Sequence, residues 1–170
     1  TSSTINQLSI GDALAISTLN QKKISKKDFK KFHPSGNLGA KLRTVEEIMI
    51  TGNKIPFVNG NLIMKKALQI ISNKKLGILV VRNSKGITIG VITDGQIRRF
   101  NEVNDNLQSL TVKEVMTLSP ISIDKETLVE KALSIMNSKK ITSLCVHSKK
   151  NLKRTVGILH IHKILETNIN

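Results

Sequence analysis

The sequence predicts an α/β fold built from one unit used twice, preceded by a short helical segment. Three observations carry this. Short blocks recur in the same order: Val45-Glu46-Glu47-Ile48-Met49 returns 67 residues on as Val112-Lys113-Glu114-Val115-Met116, Lys66-Ala67-Leu68 returns 65 on as Lys131-Ala132-Leu133, and Gly90-Val91-Ile92-Thr93 returns 67 on as Gly157-Ile158-Leu159-His160. Such duplication fixes an architecture before any single element is assigned. Within each copy, runs with apolar residues at helical spacing alternate with compact apolar runs of strand length. The hydrophobic share of 39% is enough to fill a core.

At the start of the chain, Ser9-Ile10-Gly11-Asp12 reads as a helix start, and Ile10, Ala13, Leu14 and Ser17 share one face of the helix that follows. A second helical piece runs from Ser25 to Phe32 and ends at Pro34. The loop Phe32-His33-Pro34-Ser35-Gly36-Asn37-Leu38-Gly39 has two glycines and a proline that permit a tight path beside an imidazole. These pieces are too short for a domain and read as the tail of one.

Each copy of the repeat opens with Thr three residues before Glu, Thr44 with Glu47 and Thr111 with Glu114, the reciprocal box that starts a short helix. That helix ends at Met49 or Met116, whose side chains are expected to fill core gaps. Extended stretches follow at Ile55 to Val58 and Ile121 to Ile123. Amphipathic helices come next, with Leu62, Ile63, Ala67, Leu68, Ile70 and Ile71 apolar in copy one and Leu128, Val129, Ala132, Leu133, Ile135 and Met136 in copy two. Apolar runs at Ile78 to Val81 and Leu144 to Val146 lead through polar turns to second runs ending at Ile92 and Leu159. Asn83-Ser84-Lys85-Gly86 suits a hairpin turn. Final helices are expected from Gly95 to Phe100 and from Ile161 to Glu166.

Composition excludes several classes. No stretch approaches the ~18 apolar residues of a membrane span, and Thr1 to Gln7 lack the basic-then-apolar pattern of a secretory signal. One cysteine cannot form an intramolecular disulfide or a cysteine-only zinc site, which fits a reducing cytoplasm. Lys and Arg total 27 against 12 Asp and Glu, a formal +15. Yet 22 of the 27 are Lys scattered as doublets, and Trp and Tyr are absent, so the charge reads as solvated surface and not as a nucleic-acid footprint. Cys145, between Leu144 and Val146, reads as a small buried hydrophobe.

The doubled β-α-β-β-α unit, with a Val-rich strand running into Gly90-Val91-Ile92-Thr93-Asp94, resembles a tandem pair of CBS domains stacked pseudo-symmetrically. The resemblance spans about Val45 to Leu165 and implies domains at 45–103 and 111–168. The forms Gly90 to Arg99 and Gly157 to His162 are similar to the CBS pair of arabinose-5-phosphate isomerases. Gly11-Asp12-Ala13-Leu14-Ala15, Asp28-Phe29 and His33 to Gly39 resemble, in order, the end of the sugar-isomerase domain of the same family, which makes residues 1–40 its remnant. Ser35 stands where the family usually has glycine.

That resemblance implies a parent enzyme that interconverts ribulose 5-phosphate and arabinose 5-phosphate through an enediol, supplying the Kdo sugar of lipopolysaccharide or capsule. His33 matches an active-site histidine, and imidazole titrates where a proton shuttle must. One histidine cannot bind, position and shield a phosphosugar, so the 170 residues are expected to be inactive alone. No cofactor is implied, and the family suggests a cytoplasmic homo-oligomer, a tetramer. A freestanding CBS ligand sensor without activity is the alternative.

In CBS pairs that hold adenosine nucleotides, a Thr or Ser ending the last strand contacts phosphate and an Asp three residues later accepts the ribose hydroxyls. Here those positions are Thr93 with Gln96 and His160 with Lys163. Lysine accepts no hydrogen bond, which disfavours conventional AMP or ATP binding. Asp94 stands next to the ribose position, and His160 with Arg98, Arg99 and Lys163 could meet an anion. The expected ligand-binding residues are therefore Thr93, Asp94, Arg98, His160 and His162, with a nucleotide or CMP-linked Kdo as effector. His160 and His162 lack a neighbouring thiolate or carboxylate, so no metal is expected.

Overall fold

The computed structural model describes residues 1–24, 28, 42–102 and 106–168. The chain divides into two compact units, Thr1–Leu42 and Arg43–Asn170.

In the first unit, helix α1 (Ser2–Gln21) runs through Ser9, which is therefore not its start. Ser9 lies inside it and its Oγ donates to the Ile5 carbonyl at 2.9 Å, as Thr18 Oγ1 does to Leu14 at 2.8 Å. A hydroxyl in a helix interior can bond back one turn to the i−4 carbonyl, which is why a cap-like residue need not mark a start. Ile10 and Leu14, expected on one packing face, are exposed, and no residue of the helix is buried. The piece from Ser25 to Phe32, apart from Asp28, and the His33 to Gly39 loop lie outside the described residues.

The second unit runs through helix α2 (Val45–Ile48), strand β1 (Phe57–Asn59), α3 (Met64–Lys74), β2 (Ile78–Arg82), β3 (Thr88–Thr93) and α4 (Asp94–Asn101). The pattern repeats as α5 (Val112–Val115), β4 (Thr117–Leu118), β5 (Ser122–Asp124), α6 (Val129–Lys139), β6 (Ser143–His147), β7 (Gly157–His160) and α7 (Ile161–Asn168). Both capping boxes form. Glu47 accepts from the Thr44 N–H and hydroxyl at 3.0 and 2.9 Å, and Glu114 from those of Thr111 at 2.7 and 2.6 Å. Each long helix buries one stripe, Met64, Ala67 and Ile71 in α3 and Val129, Ala132 and Met136 in α6. Each ends at a left-handed lysine, Lys75 and Lys140.

One sheet has the order β1-β2-β3-β4 and the other β5-β6-β7. In each repeat the first strand pairs parallel with the second, and the second antiparallel with the third. The β2–β3 turn is the expected one. Asn83 Oδ1 accepts from the Lys85 and Ile87 N–H groups, and Gly86 takes a positive φ of 73° that a side chain would strain. Alternation sorts β2: Leu79 and Val81 join the helices, while Ile78 and Val80 meet Cys145 and Ile158 of the other sheet in a core between the layers.

The leading helix of each copy packs on the other copy. Val45 lies in a core with Ile123, Met136 and Leu159, whereas Val112 and Val115 lie with Val58, Met64 and Leu79. Backbone bonds fix the exchange: Val45 N–H to Thr127 O and Val112 N–H to Leu62 O, both at 2.8 Å. This explains why Leu62, Ile63 and Leu128 precede their helices instead of belonging to them, since their backbone faces the exchanged segment. The exchanged tails extend the sheets. Thr117 pairs with Val91 in β4, and Ile50 bridges Ile158.

Candidate functional site

The ends of β3 and β7 open onto a cleft of about 580 Å³ between the two repeats. Equivalent residues frame it. Thr93 faces Ile78 in register and His160 faces Ser143, so the last strand residue of each repeat stands at the same place in its sheet. Thr93 Oγ1 accepts the Gln96 N–H at 3.4 Å and so caps α4. His160 Nδ1 accepts the His162 N–H at 3.2 Å, and the two imidazoles stack with centroids 4.9 Å apart. Burial, and then the nearby His162 ring, push the His160 imidazole below its ordinary range.

Asp94 begins α4, and its carboxylate lies over bare Gly77, where a Cβ would come within 3.0 Å of Oδ2. Gly77 has a positive φ of 61°, so conformation and close approach both favour glycine there. Gln96, at the position of the ribose-binding carboxylate in adenosine-binding pairs, turns its side-chain amide to the Val115 carbonyl. One of its two donors is thereby used at the open end of α5.

Of the residues expected from sequence, Thr93, Asp94, His160 and His162 all line the cleft, and His33 lies outside the described residues. Arg98 is exposed on α4 and is not among the lining residues, whereas its neighbour Arg99 is. The structure adds Lys140, Thr142 and Ser143 from the turn into β6, and Ser119 from the segment after β4. Ser119 holds a left-handed φ of 51°. The Lys139-Lys140 doublet before Ile-Thr-Ser and the Ser119-Pro120 turn pair were the signals available for these.

A second cleft of about 450 Å³ is lined by Ile50, Lys54, Lys74 and Lys163 among others. Two of its lysines are engaged: Lys74 donates to the Asn53 carbonyl, and Lys163 pairs with Glu166, each at 2.6 Å. Cys145 reaches the first cleft from the inter-sheet core, and burial pushes its thiol up to about 11. Among the described residues no three His, Cys, Asp or Glu side chains gather as a metal site, and no helix is long and apolar enough to cross a membrane.

The sequence profile of the CBS domain matches residues 45–102 and again 112–169. The chain belongs to the CBS domain family. Its clefts are therefore those of a CBS pair. Among similar proteins, the arabinose 5-phosphate isomerase KdsD of Salmonella typhi is 37% identical over 99% of this chain and 51% of its own length. The KdsD of Francisella tularensis is 41% identical over 98% of this chain and 50% of its own. The chain thus spans about half the length of the curated relatives it matches. Among solved CBS pairs, CBSX2 in complex with AMP superposes with a TM-score of 0.65 at 21% identity, covering 74% of this chain and 96% of that one. CBSX2 comes from Arabidopsis thaliana, and the likeness is one of fold.

Proposed function

We propose that this CBS pair is the regulatory and assembly part of an arabinose-5-phosphate isomerase. The observation that carries the reading is the extent of the match: 37% identity to a KdsD runs over 99% of the chain, so it takes in the residues ahead of the CBS pair as well as the pair itself. In this reading residues 1–40 close a sugar-isomerase domain, and 45–103 and 111–168 are the two CBS domains. His33 shuttles a proton between adjacent carbons as ribulose 5-phosphate and arabinose 5-phosphate interconvert through their shared enediol. The product feeds Kdo synthesis for lipopolysaccharide or capsule, in a cytoplasmic homotetramer. The 170 residues alone are inactive, because the phosphosugar must also be bound and shielded from water.

The cleft is the effector site of this enzyme. Arg99 and Lys140 supply positive charge, and Thr93 and His160 supply neutral polar groups. The positive charge of Arg99 and Lys140 suits an anionic sugar nucleotide such as CMP-linked Kdo, and no carboxylate stands at Gln96 to hold its ribose. Two experiments test the reading. The full-length protein should convert ribulose 5-phosphate to arabinose 5-phosphate, and loss of that activity should follow His33→Ala. A thermal-shift panel on the 170-residue chain should respond to CMP-linked Kdo, since a ligand at one hundred times its Kd adds roughly 2.7 kcal/mol. No turnover by the full-length protein would overturn the isomerase reading, and a shift with AMP alone would overturn the choice of effector.

A further inference from the structure

The two repeats cap their last helices with chemically different groups. Thr93 caps α4 through a hydroxyl, which keeps its proton throughout the physiological range. His160, the equivalent residue, directly precedes α7 and uses Nδ1 to accept the His162 N–H at 3.2 Å. A ring nitrogen that accepts carries no proton, so the neutral ring holds its hydrogen on Nε2. The ring is half-buried, stacks on His162 at 4.9 Å and lines the 580 Å³ cleft.

We infer that His160 is a proton-operated latch on this cleft: neutral, it caps α7 and keeps a donor on Nε2; protonated, it gives up the cap and adds a positive charge to the cleft. Protonation turns Nδ1 into a donor facing a donor. It also places a cation at a helix N-terminus, where the peptide dipoles already present positive charge. Among the titratable and charged groups of this helix and cleft, His162 adds to this, whereas a carboxylate such as Asp94 opposes it. On α7 these groups are His162 and the Lys163–Glu166 pair. Lys140 comes from the end of α6, and Asp94 and Arg99 from α4. Ser143 and Cys145 of β6, and residues 119–121, contribute no charge. Burial and the second imidazole hold the ring neutral to lower pH than usual. The latch rests on the effector reading only for what it would control, because its own chemistry is testable without ligand.

The test is a pH titration by nuclear magnetic resonance on the 170-residue chain. At pH 8 the His160 ring should show the Nε2–H tautomer. Between pH 7.5 and 5 the His162 amide should follow the titration of His160, with a midpoint below the ordinary ~6.5. Hydrogen exchange at His162 to Ile164, corrected for intrinsic rates, should quicken roughly fivefold as the cap is lost. His160→Thr, which installs the residue used by the first repeat, should fold and abolish the step. His162→Ala should move the His160 midpoint upward. An Nδ1–H tautomer, a His162 amide blind to the titration, or a step that survives His160→Thr would overturn the latch. None of these results bears on whether CMP-linked Kdo binds, and a failed thermal shift would leave the latch standing.

Discussion

Met116 lies so close over Gly90 that a Cβ on that glycine would stand 2.7 Å from its Sδ, and Met49 lies over Gly157 in the same way, at 2.5 Å. The pairs are equivalent, 67 residues apart, and each joins an exchanged segment to the sheet of the other repeat. Their surroundings differ. At Gly90 the Thr117 carbonyl is also 2.8 Å away, whereas at Gly157 the nearest backbone atom, Ile50 O, is at 3.2 Å. A thioether bends aside more readily than a strand. Gly90→Ala is therefore expected to cost about 2–3 kcal/mol and Gly157→Ala about 1 kcal/mol, within the usual range for overpacking. Met49→Ala should relieve Gly157→Ala more fully than Met116→Ala relieves Gly90→Ala in urea denaturation of the double variants.

Because the leading helices are exchanged, a core substitution should be felt in the wrong repeat by sequence and the right one by space. Val112→Ala is expected to cost about 2 kcal/mol. Native-state hydrogen exchange should show the loss in α3, against which Val112 packs, more than in α6. Val45→Ala should show the reverse.

The capping boxes carry a pH dependence with a definite sign. The Thr111 hydroxyl, and then its N–H, hold the Glu114 carboxyl below its ordinary value of 4.5. A carboxylate lowered by folding contributes stability that is complete above that value and is lost as the pH falls through the lower, folded one. Thr111→Ala should therefore flatten the acid limb of a stability profile measured by thermal melts between pH 3 and 7. Thr44→Ala, at the more buried box, should cost about 1–2 kcal/mol at neutral pH.

Cys145 should be inert. Its thiol is 2% exposed and raised to about 11, so the reactive thiolate is scarce at neutral pH. Labelling with a disulfide reagent at pH 7.5 should proceed at the rate of global unfolding and quicken in step with destabilising variants such as Gly90→Ala. Rapid labelling without unfolding would show that the cleft floor opens to solvent.

Much of this fold is legible in the chain because its signals are local. Thr44 with Glu47, Thr111 with Glu114, the stripe of Met64, Ala67 and Ile71, and the Asn83 to Gly86 turn all act within a few residues of themselves. What the chain hides is pairing at a distance. Strand β4 is two residues long and has no periodicity to read, and nothing within Val112 to Val115 says which core it completes. The cleft divides along the same line. Thr93 and His160 follow from the repeat, but the choice between Arg98 and Arg99 depends on the rotation of α4, a single residue step of ~100°. Lys140 and Ser119 enter through left-handed backbone positions that ordinary propensity does not assign to either residue.

The exchange of α2 and α5 has a consequence for assembly as well as for stability. A chain carrying one repeat would hold an apolar segment with no groove of its own and a groove with no segment, and could satisfy both only by trading with a neighbour. Joining the repeats in one polypeptide turns that trade into an internal one. Its effective concentration is then set by the length of the tether and not by how much protein is present, so the cleft between the repeats persists at any dilution.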